Sequence, residues 1–255
     1  MKFMNENING LFFPKNRVGS ISGEEISQLN NYWEVTDAFS RMSYMSVYII
    51  DYYHKNFEYV SQNPLFLCGL TAEEVRSMGF EFYFKYVKKD DLELLLKIDQ
   101  LGFDFYKKIP MDEKKWYTIS CDFHLLSDNK PVLVNHKLTP IFLTKEGKIW
   151  KALCVVSLST HMEAGNITIS KCGSGDYWSY DIKEDVWRNQ KKVKLTERER
   201  DILRYYAQGY SINGIADKIF ISPDTIKFHR RKLFEKIQVS NISEALSFVK
   251  NNQLL

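Results

Sequence analysis

The chain has 255 residues, 44% of them hydrophobic and 26% charged, which is enough for two ordinary domains and a sizeable core. Its opening, MKFMNENING, has no apolar h-region, and nowhere do about 18 apolar residues run together, so the sequence predicts a cytoplasmic protein without export signal or membrane span. Charge is divided: 13 of the 35 Lys and Arg but only 7 of the 32 Asp and Glu lie from Lys191 onward, leaving 22 against 25 before it, so a basic end able to meet a polyanion follows a mildly acidic, aromatic-rich part.

The first 43 residues contain EEISQLNNYWEVTDAF, residues 24–39, whose spacing predicts an amphipathic helix able to pair with its copy in a dimer. SVYIIDYYHKNFEYVSQNP then reads as two strands rich in Val, Ile and Tyr around a turn at His54, Lys55 and Asn56. Thr71 caps a helix over AEEVRSMG, and KKDDLELLLKIDQL starts another. Strands return in WYTISCDFHLL, where Tyr117, Ile119, Cys121, Phe123 and Leu125 alternate onto one face, and continue through KPVLVNHKLTPIFL and KIWKALCVVSLS.

That order, with LTAEEVRSMGFEFYFKYVKKDDLELL in the place of the "peEllG…ihpdD" segment, resembles a PAS domain over residues 44–160. The resemblance implies a curved antiparallel five-stranded sheet with helices on one side, used to sense a signal or to dimerise. A photosensory flavin domain needs a reactive cysteine in the helix that here reads FEFYFKY, whereas Cys68 lies before it. His136 shares a strand face with Val132, Val134 and Leu138; it reads as a core histidine satisfied by a hydrogen bond rather than as an axial haem ligand. Cys121 and His124, three apart on a strand, point to opposite faces and make no metal pair. The four cysteines lack a CxxC pair and read as reduced thiols. No cofactor is predicted, and the domain leaves room for a small-molecule ligand. A phosphorylated receiver domain is excluded by the missing α/β alternation and acidic cluster. Residues 161–191, with GNITIS, GSGDYWSYD and VWRNQ, read as a linker of short strands able to hold two domains in a fixed relation.

Residues 192–255 carry four helical patterns. Thr196 and Glu199 form a capping box ahead of Ile202, Leu203, Tyr206 and Ala207, and Gly209 stops that helix. Ser211 caps a second, short helix through Ile215, Ala216 and Ile219. Ser222 caps a third with Pro223 at its first position and Ile226, Leu233 and Ile237 on its inner side. Asn241 and Glu244 read as a capping box opening the fourth. At roughly 100° per residue from Ile226, Phe228 falls near 200° and Arg231 near 140°, so the third helix turns one flat apolar group outward among cations. Such a stripe suits a duplex major groove, where Lys and Arg reach phosphates or guanine edges and an apolar group touches a thymine methyl.

LTERERDIL, AQGYSINGIADKIFIS, DTIKFHRRKLFEKIQVSN and EALSFVKNNQLL fall in order with the spacing of the LuxR-type (GerE-like) helix-turn-helix, which the stretch from Leu195 to Leu255 resembles without a gap. The resemblance implies a four-helix domain whose third helix enters the major groove and whose fourth often mediates dimerisation. Lys227, Phe228 and Arg231 match its base-facing sites, with Thr225 and Lys232 as phosphate neighbours; Ser222 and Arg230 complete the expected DNA-contacting set. His229 matches a histidine at the core edge and reads as packing. SINGIA departs from the family's usual acidic residue early in the second helix: Gly214 costs that helix about 1 kcal/mol of propensity and removes a possible cap partner for Ser211.

The fold expected is therefore α+β: a PAS-like sheet with helices, a β linker and a four-helix helix-turn-helix. The function expected is non-enzymatic, sequence-specific transcription regulation, since no nucleophile and base pairing or metal constellation supports an enzyme. Double-stranded DNA is the partner, bound by a homodimer, with RNA polymerase a candidate protein partner. The alternative is a protein-interaction adaptor in which the helix-turn-helix has become a docking module.

Overall fold

The structure is a computed structural model that describes residues 20–23, 32–43, 45–128, 130–252 and 254. The chain divides into two compact units, Met1–Gln190 and Lys191–Leu255.

In the first unit α1 (Tyr32–Ser43) precedes β1 (Ser46–Asp51) and β2 (Asn56–Val60), joined by a turn over residues 52–55 with Lys55 at φ 56°. Four helices follow: α2 (Pro64–Leu67), α3 (Ala72–Met78), α4 (Glu81–Tyr86) and α5 (Lys89–Lys107). Thr71 caps α3, as the sequence predicts, and completes a capping box with Glu74. The chain then runs through β3 (Tyr117–Ser127), β4 (Lys130–Leu143) and β5 (Ile149–Leu158). Alternation along β3 places Tyr117, Ile119, Cys121, Phe123 and Leu125 in one core with Tyr48, Phe57, Phe66 and Val75. Pro140 sits at a register shift in the β4–β5 pairing, where a missing N–H interrupts the ladder least.

The sheet is larger than the five strands expected. β6 (Gly165–Lys171), β7 (Asp176–Asp181) and β8 (Val186–Lys191) join it, giving the antiparallel order β2-β1-β5-β4-β3-β6-β7-β8. The reason lies in β3, whose outer edge carries unpaired backbone groups that β6 satisfies while Ile167 and Ile169 enter the same core. The stretch read as a linker thus continues the sheet.

The opposite face is closed at one edge by α1. Tyr32 hydroxyl donates to Glu58, Tyr59 hydroxyl donates to Asp37, and Lys151 lies beneath with only 3% of its side chain exposed, 2.7 Å from Glu58 and 3.5 Å from Asp51. The start of the helix expected over residues 24–39 lies outside the described residues.

The second unit holds α6 (Glu197–Ala207), α7 (Ile212–Ile219), α8 (Pro223–Ile237) and α9 (Ile242–Asn251). Leu195, Leu203, Leu233, Ile237, Ala245 and Val249 form one buried cluster; Ile202, Ile215, Ala216 and Ile226 form another. The Asn241 cap differs in one arm: its side chain accepts the Glu244 N–H, but the Glu244 carboxylate returns to the Ser240 N–H instead of the Asn241 N–H. α7 forms despite Gly214, because the Ser211 hydroxyl accepts the Gly214 N–H. A Cβ at Gly214 would meet the Tyr210 ring at 3.3 Å, so the departure from the family pattern accommodates that ring.

Candidate nucleic-acid interface and interior cavity

α8 begins where Ser222, in extended backbone, accepts the Thr225 N–H at 3.1 Å, with Pro223 at the first helical position. Ile226, Leu233 and Ile237 are buried, which fixes the rotation of the helix and leaves the opposite side to solvent. Phe228 is on that side, 46% exposed. The Lys232 ammonium lies 5.0 Å from its ring centroid and the Arg231 guanidinium 5.9 Å, so the ring and two cations form one patch. Lys227 and Arg231 are largely exposed beside it. Thr225 is half-buried at the helix start. Arg230 is set apart, half-buried with its guanidinium over the Phe234 ring. His229 is half-buried with its ring edge-on to Phe228.

Two acidic residues that the cation-centred reading passed over belong to the same surface. Asp224 accepts from Lys227 at 3.0 Å, and Glu235 stands 3.9 Å from Arg231. Their three- and four-residue spacings are the sequence signal for such pairs. Exposed pairs of this kind contribute only about 0.3–0.5 kcal/mol, so either partner is exchanged at small cost. Phe220 also escaped notice: it ends α7 in the left-handed region at φ 55° and is 92% exposed. Lys236 ties α8 to α6 through Glu199 at 2.8 Å; burial works against the Glu199 charge, but Lys236 and the Thr196 amide hold its carboxyl below the usual range.

The first unit has a partly open cavity of about 90 Å³ between the sheet, α4 and α5. Tyr52, Tyr83, Asp99, Phe103, Tyr106 and His136 are in its wall. Tyr48 hydroxyl shares hydrogen bonds with His136 Nε2 at 2.7 Å and with Tyr83 hydroxyl at 2.5 Å, so the histidine is satisfied as the sequence reading expects. Burial pushes the His136 imidazole down to about 4 and keeps it neutral. Burial also raises the Tyr52, Tyr83 and Tyr106 phenols, and pushes the Cys68 thiol up to about 12. Cys121 sits in the cavity wall, and the His124 ring on the other strand face bonds Asp91 at 2.7 Å.

Comparison with known proteins agrees with this architecture at the carboxy-terminal end. Residues 193–249 match the family described as "Bacterial regulatory proteins, luxR family". The CsgBAC operon transcriptional regulatory protein of Escherichia coli (strain K12) is 39% identical over 66 residues, 26% of this chain and 31% of that protein. The probable transcriptional regulatory protein NarL of Mycobacterium tuberculosis (strain ATCC 25618 / H37Rv) is 38% identical over 61 residues, 24% of this chain and 28% of that one. The chain thus spans about a third of the length of these relatives. Among solved structures, a Vibrio cholerae VqmA dimer in the absence of target DNA aligns over 92% of this chain and 89% of its own, at 16% identity and a TM-score of 0.34. The second unit is a LuxR-type helix-turn-helix domain over residues 193–249, and the first is an eight-stranded sheet packed with helices.

Proposed function

We propose that the protein is a sequence-specific, DNA-binding regulator of transcription whose PAS-like unit responds to a small ligand, acting in the cytoplasm as a homodimer. The observation that carries the reading is the outward stripe of α8, in which Phe228 lies between Arg231 and Lys232 on a helix whose inner side is held by Ile226, Leu233 and Ile237. Lys227, Phe228 and Arg231 are assigned to base edges. Ser222, Thr225 and Lys232 are assigned to phosphates, and Arg230, from its flank position, reaches phosphate alone. One such helix reads few base pairs, so a two-fold dimer on paired half-sites supplies the specificity ratio a regulator needs.

The test is selection of duplexes from a random pool by the full-length protein, followed by affinity measurements between about 50 and 200 mM salt. The expected result is an enriched pair of half-sites whose affinity falls steeply with salt, because each neutralised phosphate releases counterions. Absence of duplex binding at low salt would overturn the reading and favour the adaptor. Sedimentation of the protein free and on the selected duplex tests the dimer.

A further inference from the structure

Most polar groups in the wall of the first unit's cavity are committed within the protein. Neither Lys nor Arg lines it among the described residues, and Asp99 already has a partner, so an ion of either sign finds no uncommitted counter-charge there. The Tyr106 hydroxyl donates to the Tyr117 carbonyl at 2.7 Å, and the Tyr83 hydroxyl is bound to that of Tyr48. His136 differs from these. Its ring contacts those of Tyr48 and Phe123, with centroids 5.7 and 5.8 Å away, and its Nε2 bonds the Tyr48 hydroxyl. Its Nδ1 has no partner among the described residues and is not sealed within the packing. Around it the wall is aromatic and aliphatic, with Phe80, Ile98, Phe103, Ile119 and Leu138.

We propose that the ligand of this cavity is a small uncharged alcohol, whose compact hydrocarbon body fills the apolar wall while its hydroxyl bonds His136 Nδ1; this rests on the ligand-sensing reading above. An ion entering such a wall forfeits its hydration without gaining a counter-charge, whereas hydrocarbon gains by leaving water. The open ring nitrogen asks for one polar atom on the ligand, because a nitrogen cut off from water and left unbonded costs free energy. Burial keeps His136 neutral, so its ring carries one N–H and one lone pair. If Nε2 accepts from Tyr48, Nδ1 donates; if Nε2 donates, Nδ1 accepts. A hydroxyl serves either arrangement. Size narrows the class further. An engineered cavity of roughly 150 Å³ accepts benzene, so a partly open space of about 90 Å³ suits a body of a few carbon atoms.

The test uses the full-length protein with four probes built on one ring: cyclopentanol, cyclopentane, cyclopentylammonium and cyclopentanecarboxylate. Binding is measured by calorimetry and by the shift in Tm at neutral pH and constant ionic strength. Saturable binding of the two uncharged probes, with little or none of the two ions, is expected. His136→Leu should weaken cyclopentanol by about fivefold, the worth of one neutral hydrogen bond, and leave cyclopentane unchanged or tighter. Circular dichroism checks that this variant folds. A second measurement needs no variant: in nitrogen-15 spectra of labelled histidine, cyclopentanol should shift Nδ1 of His136 and cyclopentane should not. Either ion binding as well as cyclopentanol, failure of all four probes, an unmoved Nδ1 signal, or an unchanged preference between the two uncharged probes in a folded His136→Leu overturns the assignment and leaves the sensing reading standing. That reading has its own measure: Leu138→Phe, which narrows the cavity, should change affinity for the selected duplex in crude cell extract. If that affinity does not move, the sensing reading falls whatever the probes have shown.

Discussion

The two units place charge on opposite sides of their surfaces. In the first, Asp122 is fully buried, bonded by His161, Asn135 and Asn166, and Lys151 is buried against Asp51 and Glu58. In the second, Lys227, Arg231 and Lys232 stand on an exposed helix face with carboxylates three or four residues away. Buried pairs hold one geometry because removing either partner strands a charge in a poor solvent. Exposed pairs on a helix exchange partners readily and are screened by salt. The first arrangement fixes one geometry on the sheet; the second holds its cations in pairs that exchange at little cost.

The comparison is tested most severely by aromatic truncation. Phe66 is buried and stacked on Tyr48 with centroids 4.2 Å apart, so Phe66→Ala should destabilise the first unit by about 3–5 kcal/mol in urea unfolding. Phe228→Ala should change stability by less than about 0.5 kcal/mol while reducing preference for the selected duplex over random DNA. A Phe228→Ala protein that unfolds its helical unit would show that the ring is a core residue.

Protonation comes next in size. His136 is held near 4 in the folded state against about 6.5 when unfolded. Its folded pKa is depressed, so between these values the unfolded chain binds the extra proton, and stability is lost as pH falls through that window. The loss attributable to His136 is on the order of 3 kcal/mol. Urea unfolding at a series of pH values should show a slope that His136→Gln flattens. His161 acts in the opposite sense: its hydrogen bond to Asp122 raises its pKa, so its contribution is present at low pH and lost as pH rises through the folded value.

On the exposed side, Arg231→Ala should cost about 1–3 kcal/mol of specific binding and relax discrimination at one base position. Lys232→Ala should weaken all sequences about equally and lower the salt slope by about one unit. The smallest effect belongs to Glu235→Gln, which frees Arg231 and should tighten binding to every duplex by a few tenths of a kcal/mol. Tightening confined to the selected site would instead make Glu235 part of base discrimination.

Local chemistry was legible in the sequence wherever residues a few positions apart act together. The Thr71, Thr196, Ser211 and Ser222 caps, the alternation of β3 and the phase of α8 all depend on spacing that secondary structure converts directly into geometry. The same logic contained the Asp224–Lys227 and Arg231–Glu235 pairs, which a reading centred on cations passed over. Only tertiary structure decided that β6 joins β3, that Lys151 lies beneath Tyr32, and that Asp99 and His136 line one cavity, because each brings together residues far apart in sequence. Capping and helical phase are set within a turn or two of chain, whereas sheet edges, buried charges and cavities are set by whichever distant segments satisfy exposed backbone groups and fill the remaining space.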